Sequence, residues 1–159
     1  MDTQTVLLLH VAASFIALPL GFVALQAYFA PTPPAWTSLF LGFAIATILT
    51  GFLLPIPSLT PATLLGIIAT LVIIGMAVAN YAFKQSGIWK KFYALGMVAS
   101  SYFLAFVLIA QSFLKLPPLK AIAPTGTELP FAVAQLILLA AFIWIGIKVY
   151  HKAGSIPAN

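Results

Sequence analysis

Residues 5–28, TVLLLHVAASFIALPLGFVALQAY, contain no aspartate, glutamate, lysine or arginine. The hydrocarbon core of a bilayer is about 30 Å thick and a helix rises about 1.5 Å per residue, so a span needs about 20 apolar residues. This stretch meets that length. Four more do so along the chain, at residues 36–54, 61–83, 92–113 and 130–150. The sequence therefore predicts an all-α, polytopic transmembrane helical bundle of five spans, one domain over residues 1–159. With 63% hydrophobic and 6% charged residues, little is left for a soluble unit. The runs are continuous, without the apolar–polar alternation of a membrane barrel strand.

The breaks carry helix-stopping chemistry. Pro31, Pro33 and Pro34 close the first span, and Pro55 and Pro57 the second. Gly87 with Lys84, Lys90 and Lys91 separates the third from the fourth, and Pro117, Pro118, Pro124 and Gly126 mark the longest connection. Proline removes a backbone donor and disfavours helix in the residue before it. The first span is expected to remain in the mature chain. No basic residue precedes it, and it is longer than the apolar core of a cleaved signal peptide.

Charge predicts an orientation. All seven basic residues are lysines, and the only acids are Asp2 and Glu128. Lys84, Lys90, Lys91, Lys148 and Lys152 fall at one end of the bundle, which the positive-inside bias places in the cytoplasm. The N-terminus and the loop from Lys115 to Leu129 then face outwards, with Lys115 and Lys120 against the trend. Tyr28, Trp36, Tyr81, Trp89, Tyr93 and Tyr150 are expected as an aromatic belt at the lysine end. The net charge of +5 follows from the lysine bias; with no basic stripe, nucleic acid is not an expected partner.

Small residues repeat every four positions: Ala13, Ala17 and Gly21; Gly42 and Ala46; Thr47 and Gly51; Ala62, Gly66 and Thr70; Gly75 and Ala79; Gly96 and Ser100. Residues four apart share a helix face, so these strips let a second backbone approach. Gly21, Gly42, Ala46, Gly51, Gly66, Gly75, Gly96 and Ser100 are the expected helix-packing positions.

His10 is the ionisable side chain set well inside a span, on the face of Ala13, Ser14, Ala17 and Gly21. Intramembrane ionisable groups are costly and are functional candidates by default; a neutral imidazole bonded to a neighbouring helix is the simpler alternative. Gln111, Lys115, Glu128 and Gln135 gather toward the same end, and with His10 make a candidate polar pocket opening outwards. Lys115 and Glu128 could pair at its rim, and Asn80 with Gln26 near the other end. No catalytic, metal or cofactor site is predicted. The other histidine, His151, lies a bilayer thickness from His10, which argues against bis-histidine haem; zinc needs three or four gathered ligands; thiolate chemistry and disulfides need cysteine, which is absent. Acid–base work needs titratable groups placed together, and no phosphate loop or paired-aspartate motif occurs.

The stretch Trp89 to Gln135 resembles a family of small, uncharacterised bacterial multi-pass inner-membrane proteins. The match runs through Trp89, Tyr93, Gly96, Tyr102, Phe106, Gln111, Phe113, Lys115, Pro117, Lys120, Ala123-Pro124-Thr125, Glu128, Pro130-Phe131 and Ala134-Gln135. His10, Pro19-Leu20-Gly21 and Leu49 to Gly51 extend it loosely into the N-terminal half. The family usually carries Asn at the position of Leu104, and often Gln at Gly126 and Pro at Leu129. The resemblance implies a bacterial inner membrane and no particular activity. The expected function is that of a non-enzymatic accessory or structural subunit, contacting membrane lipids and packing against other subunits or itself. The alternative is a small transporter, channel or lipophile-binding protein, with lipid or quinone as the bound molecule.

Overall fold

The computed structural model describes residues 2–55 and 60–155; Pro57, expected to help end the second span, lies outside them. The chain is helical, with no strand among the described residues. Helix α1 spans Thr3–Gln26, α2 Pro34–Leu53, α3 Pro61–Ala77, α4 Ile88–Lys115, α5 Pro117–Ile122 and α6 Leu129–Ser155. A π-helical turn, Val78–Ala82, extends α3 to give a continuous span Pro61–Ala82. Five helices are thus long and apolar enough to cross a bilayer, and the chain is an integral membrane protein. The short α5 was not foreseen. It lies in the connection after α4 and opens on Pro117, where a missing N–H costs nothing because first-turn donors have no helical partner.

The helix starts follow local chemistry. Asp2 caps α1, its Oδ1 accepting from the Thr5 N–H at 2.6 Å. Thr60 caps α3 through a reciprocal box with Thr63. The turn into α4 uses left-handed backbone at Lys84, Gln85 and Gly87; at Gly87, φ is 52° and ψ −123°, a region open essentially to glycine. Asn80 is held in this segment by Gln85, whose Nε2 donates to Asn80 Oδ1 at 2.7 Å, so the expected Asn80–Gln26 pair is replaced by a local one.

Four of the spans close a ring: α1 packs on α2, α2 on α3, α3 on α4 and α4 on α1. Helix α6 lies outside the ring, packed on α4. Helix α4 is therefore the hub, and it buries far more of its length than any other span. Two ends of the bundle can be told apart: the amino end, where α1, α3 and α6 start and α2 and α4 finish, and the lysine end opposite.

Toward the lysine end the ring is filled. Phe40, Met76 and Met97 are almost fully buried, together with Ala24, Leu25 and Ala79. Close approach there depends on glycine. A Cβ on Gly21 would lie 2.8 Å from Ser101 Oγ, one on Gly75 2.9 Å from the Phe92 ring, and one on Gly96 would run into Met76. Ser100 is buried beside the sulfur of Met76. Tyr93, expected in the aromatic belt, is instead part of this core. The belt keeps Tyr81, Trp36 and Trp89, the last stacked on Phe83 at 3.9 Å, while Lys91 sits 4.3 Å over the Tyr150 ring.

One expected packing strip is corrected. Gly42 on α2 is exposed, with nothing within 4 Å of an added Cβ, so it brings no two helices of this chain together; Ala46 on the same strip is half-buried. The outward faces are otherwise large and apolar, with Leu8, Leu71, Leu136 and Ile137 among the most exposed, as contact with lipid chains requires. The two glycines predict opposite outcomes. Gly96→Leu should destabilise the fold by about 1–3 kcal/mol through overpacking against Met76. Gly42→Leu should stay within about 0.5 kcal/mol of wild type, as at surface sites generally. Denaturant unfolding in detergent distinguishes them, and equal losses at both would contradict the ring packing.

Candidate functional site

At the amino end the ring does not fill. Between α1, α2, α3 and α4 lies a cavity of about 710 Å³. Along α4 it runs from Ser100 to Lys115, which is about 22 Å of helix. The cause is the size of the facing side chains: Ser14, Thr47, Gly51, Gly66 and Ala69 meet here, where Phe40 and the methionines meet below. Gly51 and Gly66 thus do not bring backbones together as the glycines of the lysine end do. Gly51 faces the imidazole of His10, its added Cβ falling 3.1 Å from Cε1, and Gly66 stands in loose contact with the Phe52 ring at 3.7 Å.

His10 lies seven residues into α1, about 10 Å from its start. It lines the cavity and is anchored on α2. Its Nδ1 lies 2.9 Å from the carbonyl oxygen of Thr47 and 3.2 Å from Thr50 Oγ1. A carbonyl only accepts, so Nδ1 carries the proton. The adjacent hydroxyls are tied to their own helices. Ser14 Oγ donates to the His10 carbonyl at 2.7 Å, Thr47 Oγ1 to that of Phe43 at 2.9 Å, and Thr50 Oγ1 to that of Ala46 at 2.7 Å. Each follows the back-bonding habit of hydroxyls inside helices. Thr47 and Thr50 were not singled out as site residues. Their signal was present, two hydroxyls on the face of Gly51 at a depth matching His10, but which helix His10 would meet is not a local property.

The candidate pocket residues separate into two groups. His10, Gln111 and Lys115 line the one cavity, Lys115 near its amino-end mouth and Gln111 one helical turn deeper, close to the level of His10. Gln135 and Glu128 are not part of it. Gln135 is buried between α6 and α4, outside the ring, where its Nε2 donates to the Phe106 carbonyl at 3.2 Å and its Oε1 is enclosed without a partner. Glu128 caps the turn before α6. It accepts from the Thr125 N–H at 3.0 Å, the Thr125 hydroxyl at 2.8 Å and the Thr127 N–H at 3.0 Å. The expected Lys115–Glu128 pair is thereby replaced by a local network. A second hollow, of about 420 Å³, lies between α4 and α6 and is almost wholly apolar, with Tyr102, Phe142, Tyr150 and His151 on its walls.

Among the described residues, no three His, Cys, Asp or Glu side chains gather into a metal-binding group. The two histidines stand at opposite ends, His10 near the start of α1 and His151 near the end of α6. What the cavity offers is an apolar chamber with a small polar cluster about His10, the Gln111 amide at a similar level on α4 and the Lys115 ammonium at the mouth. Its volume falls within the roughly 300–1,000 Å³ of small-molecule sites. The sequence matches no family model, no curated protein and no solved structure, so the functional reading rests on this geometry.

The loop capped by Glu128 has a pH signature. Partial desolvation pushes the carboxyl up, but hydrogen bonds from the Thr125 N–H and hydroxyl, its own N–H and the Thr127 N–H outweigh it and hold the pKa near about 2, below an ordinary 4.5. A depressed carboxylate stabilises the folded loop fully above the ordinary value, and the effect is lost as pH falls toward about 2. Carboxyl-carbon NMR of the labelled protein should show Glu128 titrating well below 4.5. Glu128→Gln should loosen the 123–129 segment to proteolysis at neutral pH; a midpoint at the ordinary value would refute the network.

Proposed function

We propose that this protein is a bacterial inner-membrane protein that binds a lipophilic molecule inside the ring of α1 to α4. One observation carries the reading: the amino-end half of the ring leaves a half-open space of about 710 Å³ lined by apolar side chains with a few polar groups. That combination is the usual character of a small-molecule site. A core meant only to pack has no reason to leave such a space, because each unfilled void forfeits contacts at a cost that grows with its volume. In the orientation predicted from the lysines, the cavity lies in the outer half of the bilayer and opens toward the outer face. The ligand would enter from the lipid phase, its chain among Leu7, Phe103, Leu104 and Val107 and its polar part among the hydroxyls and His10. The role proposed is binding or carriage of that molecule.

A second reading keeps support from a separate observation. Gly42 is exposed on α2 with open space around it, and α6 is scarcely buried. Both are surfaces on which a further membrane subunit or a second copy could pack, as an accessory subunit would require.

The test fills the cavity. Ala69 lines it, whereas Ala140 of α6 is exposed on the outer surface of the bundle. Protein extracted gently from native membranes should carry a lipophile visible by native mass spectrometry. Ala69→Phe should lower its retention at least tenfold, about 1.4 kcal/mol, with the helical fold intact, and Ala140→Phe should leave it unchanged. Retention untouched by Ala69→Phe, together with a co-purifying protein lost in Gly42→Leu, would transfer the conclusion to the subunit reading. Reporter fusions at Lys120 and Lys90 should fall outside and inside respectively; the reverse would move the cavity to the cytoplasmic leaflet.

A further inference from the structure

Resting on that reading, we infer that the cavity recognises its lipophile by a single hydroxyl group that donates a hydrogen bond to Nε2 of His10. The polar cluster at mid-depth has a definite hydrogen-bonding sign. The proton on Nδ1 is committed to the Thr47 carbonyl, so in the neutral ring Nε2 carries a lone pair. Nε2 makes no hydrogen bond among the described residues, and it is not sealed off, since the buried side-chain atom without a partner among them is Gln135 Oε1, outside the ring.

The hydroxyls around the ring nitrogen reinforce the same sign. Ser14, Thr47 and Thr50 direct their protons to the carbonyls of His10, Phe43 and Ala46. What they turn outward is lone pairs. On α1 and α2 the wall around His10 therefore offers acceptors, while the Gln111 amide and the Lys115 ammonium, which can donate, belong to α4. A molecule whose polar atom reaches His10 must bring its own proton. A phenol, a hydroquinone or a long-chain alcohol does so. A quinone, ketone or ether of the same shape would set its oxygen against lone pairs in a low-dielectric chamber, where an unpaired polar group is costly.

The experiment compares para-nonylphenol with para-nonylanisole, its methyl ether, in which a methyl group replaces the hydroxyl proton. Saturable binding of each to the full-length protein in nanodiscs is measured in mildly alkaline buffer. Wild type should bind the phenol roughly tenfold more tightly than the ether, the scale of one hydrogen bond. His10→Phe should bind both equally, and His10→Gln, which restores an acceptor, should recover part of the preference. Should His10→Phe not fold, nitrogen NMR of histidine-labelled wild type reads the same contact: the Nε2 signal of His10 should move with the phenol and not with the ether. Equal affinity for the two ligands in wild type, with binding of both still blocked by Ala69→Phe, would overturn the hydroxyl inference and leave the cavity reading standing. No saturable binding of either ligand to wild type would overturn both.

Discussion

Inside a bilayer no water is present to receive a hydrogen bond, so each polar group in the hydrocarbon must find its partner within the protein. That constraint governs this structure from the backbone outward. It makes the spans helices, and it sends the hydroxyls of Ser14, Thr47, Thr50, Thr70 and Ser112 to the carbonyls of their own preceding turns. It also ties His10 to α2 through a carbonyl that has one lone pair left over from its helical bond. The imidazole is thus a crosslink between the first two spans as well as the most polar feature of the cavity wall. Its two nitrogens divide those roles between them.

The second organising element is a gradient of side-chain size along the ring axis. At the lysine end, Phe40, Met76 and Met97 occupy the space between four helices, and Gly21, Gly75 and Gly96 let the neighbouring groups approach. At the amino end, the facing positions are small while the helices remain anchored by the filled half below. A chamber results, with His10, Gln111 and Lys115 from two helices on its walls. The same helices so provide both a packed core and a binding space.

Much of the fold was legible in the chain. The apolar runs and their proline and lysine interruptions located all five spans to within a few residues, because the bilayer sets a length that composition must satisfy. The depth of His10, Gln111 and Gln135 was equally readable, since position within a helix is a count of residues. Less was readable about neighbours. Gly42 and Gly96 both sit in small-residue strips, yet one faces open space and the other the sulfur of Met76. Lys115 and Glu128 have opposite charges and flank one connection, yet Glu128 is claimed by Thr125 and Thr127, whose donors are held within three residues of it. Local hydrogen bonds of this kind win because little chain entropy is lost in forming them.

The sequence by itself determined that the chain has five helices long and apolar enough to cross a membrane, roughly where each of the five lies, and how far along its helix each polar residue sits. These are one-dimensional properties, set by helical rise against bilayer thickness. Only the tertiary structure decided which faces meet: that α1 to α4 close a ring, that α6 stays outside it, and hence that Gln135 belongs to a helix contact while His10 belongs to a cavity. The physical reason is that in lipid the apolar faces of all five helices are nearly equivalent, so hydrophobicity cannot choose partners. Shape and hydrogen bonding make that choice, and both depend on side chains that come together only when the helices assemble.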